Sequence, residues 1–402
     1  MAALDLSTDF QRTVPGSATR SRPDVVVCGA GPGGSRAARA LLDAGLTVAQ
    51  FDRSAFPRVK PCAGGMTPKS LEALGASGAS WFRGESDRVD FRGWGRTGLS
   101  LQHPTQVLRY VHRPHFDFEL VKANQERDGF AFYSNERIES IEWNADRGFR
   151  VSTAEREVWC GQLIGADGSQ GIVNRTFQIS KPRGRATAVE VEVSRNDLGG
   201  TTCPPERPCF DFGYVSTGYG WVFPKRDYWT VGLYTLAEPA GGLRGSLTRY
   251  LDEKGFGAAG REALGTLRGH SYGVGAQRIR PPEAPVYLVG DAVGMAEAVT
   301  GEGIFYALES GRLAGEVAAG VAVGRCEPQE YYDRLRRGVL WDTRLSWRFS
   351  RLFYRNPEWW TGALRFPPAW RPLVQGYAEG LPLYRCLLRA GELYLRSSGR
   401  MT

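Results

Sequence analysis

The stretch from Asp24 to Asp52 constrains this chain more than any other. Asp24-Val25-Val26-Val27-Cys28 reads as a buried parallel strand, and Gly29-Ala30-Gly31-Pro32-Gly33-Gly34 follows it without a spacer. Ser35 to Ala44 has helical composition and Gly45 closes it; Leu46 to Phe51 then makes a second strand, ended by Asp52. A G-x-G-x-x-G pattern is weak evidence alone. Set between a strand and a helix, with an acid at the end of the next strand, it specifies a dinucleotide site. Gly29 permits the tight turn and Gly31 lets the backbone approach a pyrophosphate at the helix N-terminus. Gly34 lets helix and strand pack closely, and Gly33 completes the turn. Asp52 is placed to accept hydrogen bonds from a ribose hydroxyl, with Arg53 beside it.

At 402 residues the chain has room for two domains, or one with large insertions. Its net charge of +8, carried mostly by arginine, favours anions such as phosphate-bearing substrates and acidic lipid surfaces. The arginines are spread without a nucleic-acid-binding motif, so nucleic acid is not expected as a partner. The seven cysteines (28, 62, 160, 203, 209, 326 and 386) form no C-x-x-C pair. They read as reduced thiols of a cytoplasmic protein without a metal site. Residues 1–23 are polar, lack an apolar targeting core and are expected to be a disordered tail. No window approaches a membrane span.

Downstream, a Gly- and Pro-rich loop from Phe56 to Met66 leads into a short helix after Thr67-Pro68. Segments 87–101 and 106–112 have strand character, and Pro114 to Gly129 is helical. Short strands are expected at 131–133, 137–143, 148–153 and 157–164, ending in Ile164-Gly165-Ala166-Asp167-Gly168-Ser169. From 186 to 275 alternation dominates, which predicts an antiparallel sheet with one wet face. Pro285 to Val289 returns to buried parallel-strand character and runs into Gly290-Asp291, followed by a helix from Gly303 to about Val323. The order predicts an α/β architecture: a Rossmann-type domain from 24–180 plus 276–325, an inserted antiparallel β-sheet substrate domain at 181–275 joined by part of 87–112, and a C-terminal helical region or lid at 326–402.

Three motifs therefore coincide: Gly29 to Gly34 with Asp52, Gly165-Ala166-Asp167-Gly168, and Gly290-Asp291-Ala292-Val293-Gly294 followed by Gly301-Glu302-Gly303-Ile304. Together they resemble the FAD-dependent enzymes built like aromatic hydroxylases, and within them the geranylgeranyl reductase family. Lys60-Pro61-Cys62 and Tyr219-Gly220-Trp221-Val222-Phe223-Pro224 carry the likeness to that branch. The resemblance implies FAD as cofactor. It implies that Asp291 hydrogen-bonds the ribityl and pyrophosphate region, that Gly301, Gly303 and Ile304 open a helix N-terminus towards the flavin pyrimidine edge, and that Asp167-Gly168 and Arg113 also contact FAD. The positive end of that helix would stabilise the anionic reduced flavin. Many relatives carry a proline where this chain has Ala298.

The resemblance also implies that Cys62 faces the flavin as proton donor. An isolated alkene is not polarised, so hydride delivery needs a proton for the opposite carbon, and a thiol is largely protonated at neutral pH. Tyr219, Trp221 and Phe223 alternate along one strand and share a face, which in the family lines the substrate tunnel. The expected activity is saturation of carbon–carbon double bonds in an isoprenoid or other apolar small-molecule or prenyl substrate. The alternative is a flavin-dependent monooxygenase; a halogenase would show W-x-W-x-I where this chain has Tyr219-x-Trp221-x-Phe223. No second dinucleotide motif is visible, so NADPH or a reduced redox protein is expected to deliver electrons to a monomer. Trp341, Leu345, Phe349, Leu352 and Phe353 form a C-terminal stripe read as core or lid, with peripheral membrane contact as the other reading.

Overall fold

The computed structural model describes residues 22–75, 81–93, 96–102, 108–198, 204–237, 242–276 and 278–355, with isolated positions between 372 and 392. The expected tail thus lies outside the described residues except for 22 and 23, where the Arg22 guanidinium donates to the Arg147 carbonyl.

Apolar runs too short for helices assemble into a five-stranded parallel sheet, in the order Val286–Leu288, Gln162–Gly165, Val25–Cys28, Val48–Asp52, Phe130–Ser134. Its central strands are buried along their full length, as strands covered on both faces must be. The helix Pro32–Asp43 begins inside the glycine turn, three residues earlier than composition suggested, because Pro32 is suited to the first helical position. It packs on Ile304–Ala322 at a crossing tight enough that a side chain at Gly311 would strike the backbone of Gly33.

The strand expected at 157–164 is two strands. Glu157–Cys160 pairs antiparallel with Gly148–Thr153, whereas Gln162–Gly165 joins the parallel sheet. The chain changes sheet at Gly161, where the amides of Gly161 and Gln162 both donate to the Asp24 carbonyl (3.1 and 3.2 Å).

The second large sheet has seven strands, in the order Arg268–Val274, Gly184–Ser194, Tyr228–Thr235, Gly218–Pro224, Cys209–Phe212, Arg88–Gly93, Arg96–Gln102. The expected wet face is absent from its centre, since Gly218–Pro224 and Tyr228–Thr235 are buried almost throughout. Two helices that the sequence reading missed, Leu243–Glu253 and Gly257–Ala263, bring Leu247, Tyr250 and Leu251 against Val222, Val231 and Leu233. The opposite face carries Tyr219, Trp221, Phe223 and Tyr234. Each face thus has its own apolar partner.

The C-terminal helices Gln329–Arg337 and Val339–Arg355 follow. The aromatic stripe expected to pack inward is split: Phe353 is buried, but Trp341 and Leu352 are each more than half exposed. The inward face is instead built around Thr343, Ser346 and Ser350, small residues that allow close approach, with Phe353 buried beside them. No helix among the described residues is long and apolar enough to cross a membrane.

Candidate active site

A cavity of about 660 Å³ opens beyond the carboxyl ends of the parallel strands, and its far wall is the aromatic face of the seven-stranded sheet. Ligands of open parallel sheets bind at such strand ends. Gly29, Gly31, Gly33, Asp52, Arg53, Cys62, Arg113, Asp167, Gly168, Tyr219, Trp221, Phe223, Asp291, Gly301, Gly303 and Ile304 all lie on its wall. Gly34 does not: it packs behind the turn, where a Cβ would collide with the Gly29 carbonyl. Its part is the close helix–strand approach.

The cradle fits a dinucleotide. Gly29 sits at φ +105, and a side chain there would strike the Ala166 backbone. Gly31 and Gly303 begin the two long helices, and neither start carries a side-chain cap. Two sets of unsatisfied helix N–H groups therefore meet this end of the fold, as an anionic ligand requires. Asp52 is fixed by the amides of Ala30 and Ser54 (both 2.9 Å). Arg113 forms a fork with Asp117 (2.8 Å to each oxygen). Burial works against the Arg113 charge, but Asp117 more than compensates, and the guanidinium stays charged. Asp167 does part of its work locally: one oxygen accepts from the Val173 amide at the start of the Ile172–Phe177 helix (3.0 Å). The other is buried without a partner among the described residues, and burial raises the carboxyl to about 6.

Asp291 stands within 3.3 Å of His270 Nε2 and 4.0 Å of Lys60 Nζ. Burial pushes its carboxyl up, but the His270 hydrogen bond and the Lys60 charge outweigh this and hold it at about 2. Lys60 and His270 themselves touch at 2.7 Å. Sequence reading missed His270, since nothing in its own strand marks it; only the register of Arg268–Val274 beside Gly184–Ser194 carries it to the cavity. It also missed Arg58, which reaches Asp117 (3.1 Å) and Asp52 (3.6 Å).

The loop that carries Cys62 is fixed by its glycines. Gly64 is left-handed at φ +71, and a side chain there would hit the Val111 carbonyl. Gly65 pairs with Tyr110 under the Phe223 ring. The Gly64 amide donates to Cys62 Sγ (3.3 Å) and the Cys62 amide donates to Glu190 Oε1 (2.8 Å).

Between the Gly-Asp turn and the second long helix, residues 297–301 form a loop held from many directions. Glu297 accepts from the amides of Val299 (2.8 Å) and Thr300 (2.5 Å). Tyrosine hydroxyls donate to four successive carbonyls: Tyr234 to Ala298 (2.9 Å), Tyr354 to Val299 (2.7 Å), Tyr219 to Thr300 and Tyr272 to Gly301 (3.4 Å). Ala298 donates its N–H to Ser346 Oγ of the C-terminal helix (3.0 Å), a bond that proline could not make. The departure at this position thus fastens the C-terminal helix to the loop. Glu302 turns away towards Thr67 Oγ1 (2.6 Å) and Lys69 Nζ (2.8 Å).

Comparison with known proteins agrees with this geometry. Residues 22–199 match the model of an FAD binding domain. The chain is 30% identical over 351 residues to the menaquinone reductase of Mycobacterium tuberculosis, covering 80% of this chain and 83% of that protein. It is 31% identical over 318 residues to digeranylgeranylglycerophospholipid reductase 1 of Methanopyrus kandleri, covering 73% and 80%. Among solved structures, a geranylgeranyl bacteriochlorophyll reductase-like protein from Thermoplasma acidophilum superposes with a TM-score of 0.73 at 20% identity, over 92% of this chain and 95% of its own. The glycine cradle, the Gly-Asp turn and these relatives lead to one assignment: the chain belongs to the geranylgeranyl reductase family of FAD-dependent oxidoreductases.

Proposed function

We propose that this enzyme saturates carbon–carbon double bonds in an isoprenoid or similarly apolar chain, with Cys62 as proton donor. The observation that carries the reading is how the aromatic wall disposes of its tyrosine hydroxyls. The hydroxyls of Tyr219, Tyr234 and Tyr272 are spent on carbonyls of the 297–301 loop, so these side chains offer the cavity their rings. With Phe210, Trp221 and Phe223 they make a wall suited to hydrocarbon. The same bonds remove the tyrosines as proton donors, and burial raises the Tyr219 hydroxyl further from ionisation.

FAD fits the glycine cradle, with Asp52 and Arg53 at the first turn, Asp167 and Gly168 at the second, and Arg113, Asp291, Gly301, Gly303 and Ile304 around the flavin end. When reduced, the bound flavin supplies a hydride. Cys62 supplies the matching proton to the other carbon of the double bond, from a half-buried position on the cavity wall. Tyr219, Trp221 and Phe223 exclude water and align the chain. NADPH or a small reduced redox protein provides the electrons. The names of the menaquinone and digeranylgeranylglycerophospholipid reductases are consistent with a prenyl-bearing substrate.

Replacement of Cys62 tests the reading. Cys62→Ala retains FAD at wild-type affinity but loses about 100-fold or more in alkene reduction, the usual weight of a positioned acid. Rapid turnover by that variant would remove Cys62 from the role.

A further inference from the structure

We propose that Glu190 is the proton reservoir for Cys62, returning a proton to the thiolate after each transfer; this rests on Cys62 being the donor. Glu190 lies on the strand Gly184–Ser194 of the seven-stranded sheet, distant in sequence from the Cys62 loop, and its side chain lines the same cavity. It is 6% exposed. Its Oε1 receives the Cys62 amide at 2.8 Å, so the carboxyl is fastened to the residue it would serve.

The surroundings are built for a carboxyl that changes charge. From the turn that joins Gly218–Pro224 to Tyr228–Thr235, the latter paired with Glu190's own strand, Lys225 reaches under the loop and donates to the Val111 carbonyl (3.2 Å); a Cβ on Gly64 would lie 3.1 Å from its amine. Arg268 faces from the strand on the other side, paired in register with Glu190, and Glu192 lies two residues along its own strand. Glu192 is engaged by His112 (3.8 Å) and Arg268 (3.9 Å). Burial raises Glu190 to about 7 and lowers Lys225, so both drift towards their neutral forms. A carboxyl poised near neutrality can hold a proton at working pH and release it to a stronger base.

The proton inventory closes. When the Cys62 S–H bond breaks, its proton goes to the substrate carbon and leaves a thiolate. The Glu190 O–H bond then breaks as the S–H bond reforms, and once product has left and the cavity opens to solvent the carboxylate is reprotonated by the hydronium or buffer acid of the bulk.

The test uses no substrate. The FAD-loaded full-length protein is treated with iodoacetamide between pH 5 and 10, and modification of Cys62 is followed by mass spectrometry of its peptide. In the wild type the logarithm of the rate shows an inflection near pH 7, where Glu190 changes charge against the same residue. Glu190→Gln abolishes the bend and reacts about 5-fold or more faster at pH 8, whereas Glu190→Asp keeps the bend. A single smooth titration in the wild type overturns the proposal even if the variants fail to fold, as do superimposable wild-type and Glu190→Gln profiles. The Cys62→Ala turnover assay fails separately if the underlying reading is wrong.

Discussion

Burial drives Glu297 and Glu190 up to about 7 and Asp167 to about 6, so the fold holds three carboxyls whose charged forms it disfavours. A carboxyl raised above its unfolded value binds more protons in the native state, so stability falls as pH rises from about 4.5 to about 7. Glu297→Gln removes one such group while leaving a single acceptor oxygen, for Val299 (on Oε1) or for Thr300 (on Oε2). Relative to wild type, this variant gains about 1–3 kcal/mol between pH 5 and pH 8, a difference of a few degrees in melting temperature. A constant difference across that range would show that Glu297 does not titrate. Asp291 has the opposite sign. Held at about 2, it contributes above its ordinary range, and its contribution disappears as pH falls from about 4 through 2. Residue types at motif positions were readable from the chain; Glu190 and His270 were not, because strand register rather than local spacing brings them to the cavity.

At the scale of elements, the glycine turn and its two flanking strands were legible because each step there has a local physical cause. The tight turn needs Gly29, the helix start suits Pro32, and the strands are short apolar runs. The seven-stranded sheet was only half legible. Its alternation was correctly read as antiparallel strands, but Leu243–Glu253 and Gly257–Ala263 were absorbed into it. A wet face was expected where those helices in fact lie. In the C-terminal helix, size misled: Trp341 and Leu352 point outward while Ser346 and Ser350 face in. The crossing of Pro32–Asp43 with Ile304–Ala322 yields an element-scale prediction. Gly311→Ala sets a methyl against the Gly33 carbonyl. Overpacking of this kind costs about 1–3 kcal/mol and distorts the glycine turn, the proposed FAD cradle. Urea unfolding should therefore show lower stability, and fluorescence titration weaker FAD binding; unchanged values would mean the crossing relaxes freely.

Across the whole molecule, the 297–301 loop joins parts that are remote in sequence. Tyr219, Tyr234 and Tyr272 come from the seven-stranded sheet, and Ser346 and Tyr354 from the C-terminal helix. The C-terminal helix is therefore part of the frame that holds this loop at the cavity. Ser346→Ala and Tyr354→Phe should each cost about 0.5–1.5 kcal/mol, read as a few-fold loss of FAD affinity. Because both act on one loop, the double variant should not be additive; strict additivity would argue that the helix and loop are independent. The distinction between reductase and oxygenase belongs to the same frame, which presents an aromatic wall to one end of the cavity and a cysteine loop to its side. It is decided most directly by the mass of the product formed when FAD-loaded, chemically reduced enzyme meets a polyprenyl lipid such as menaquinone or a digeranylgeranyl glycerolipid. The account predicts a product heavier by two hydrogens for each bond saturated, formed without oxygen and lost in Cys62→Ala. A product heavier by one oxygen atom, formed only in air, would contradict it.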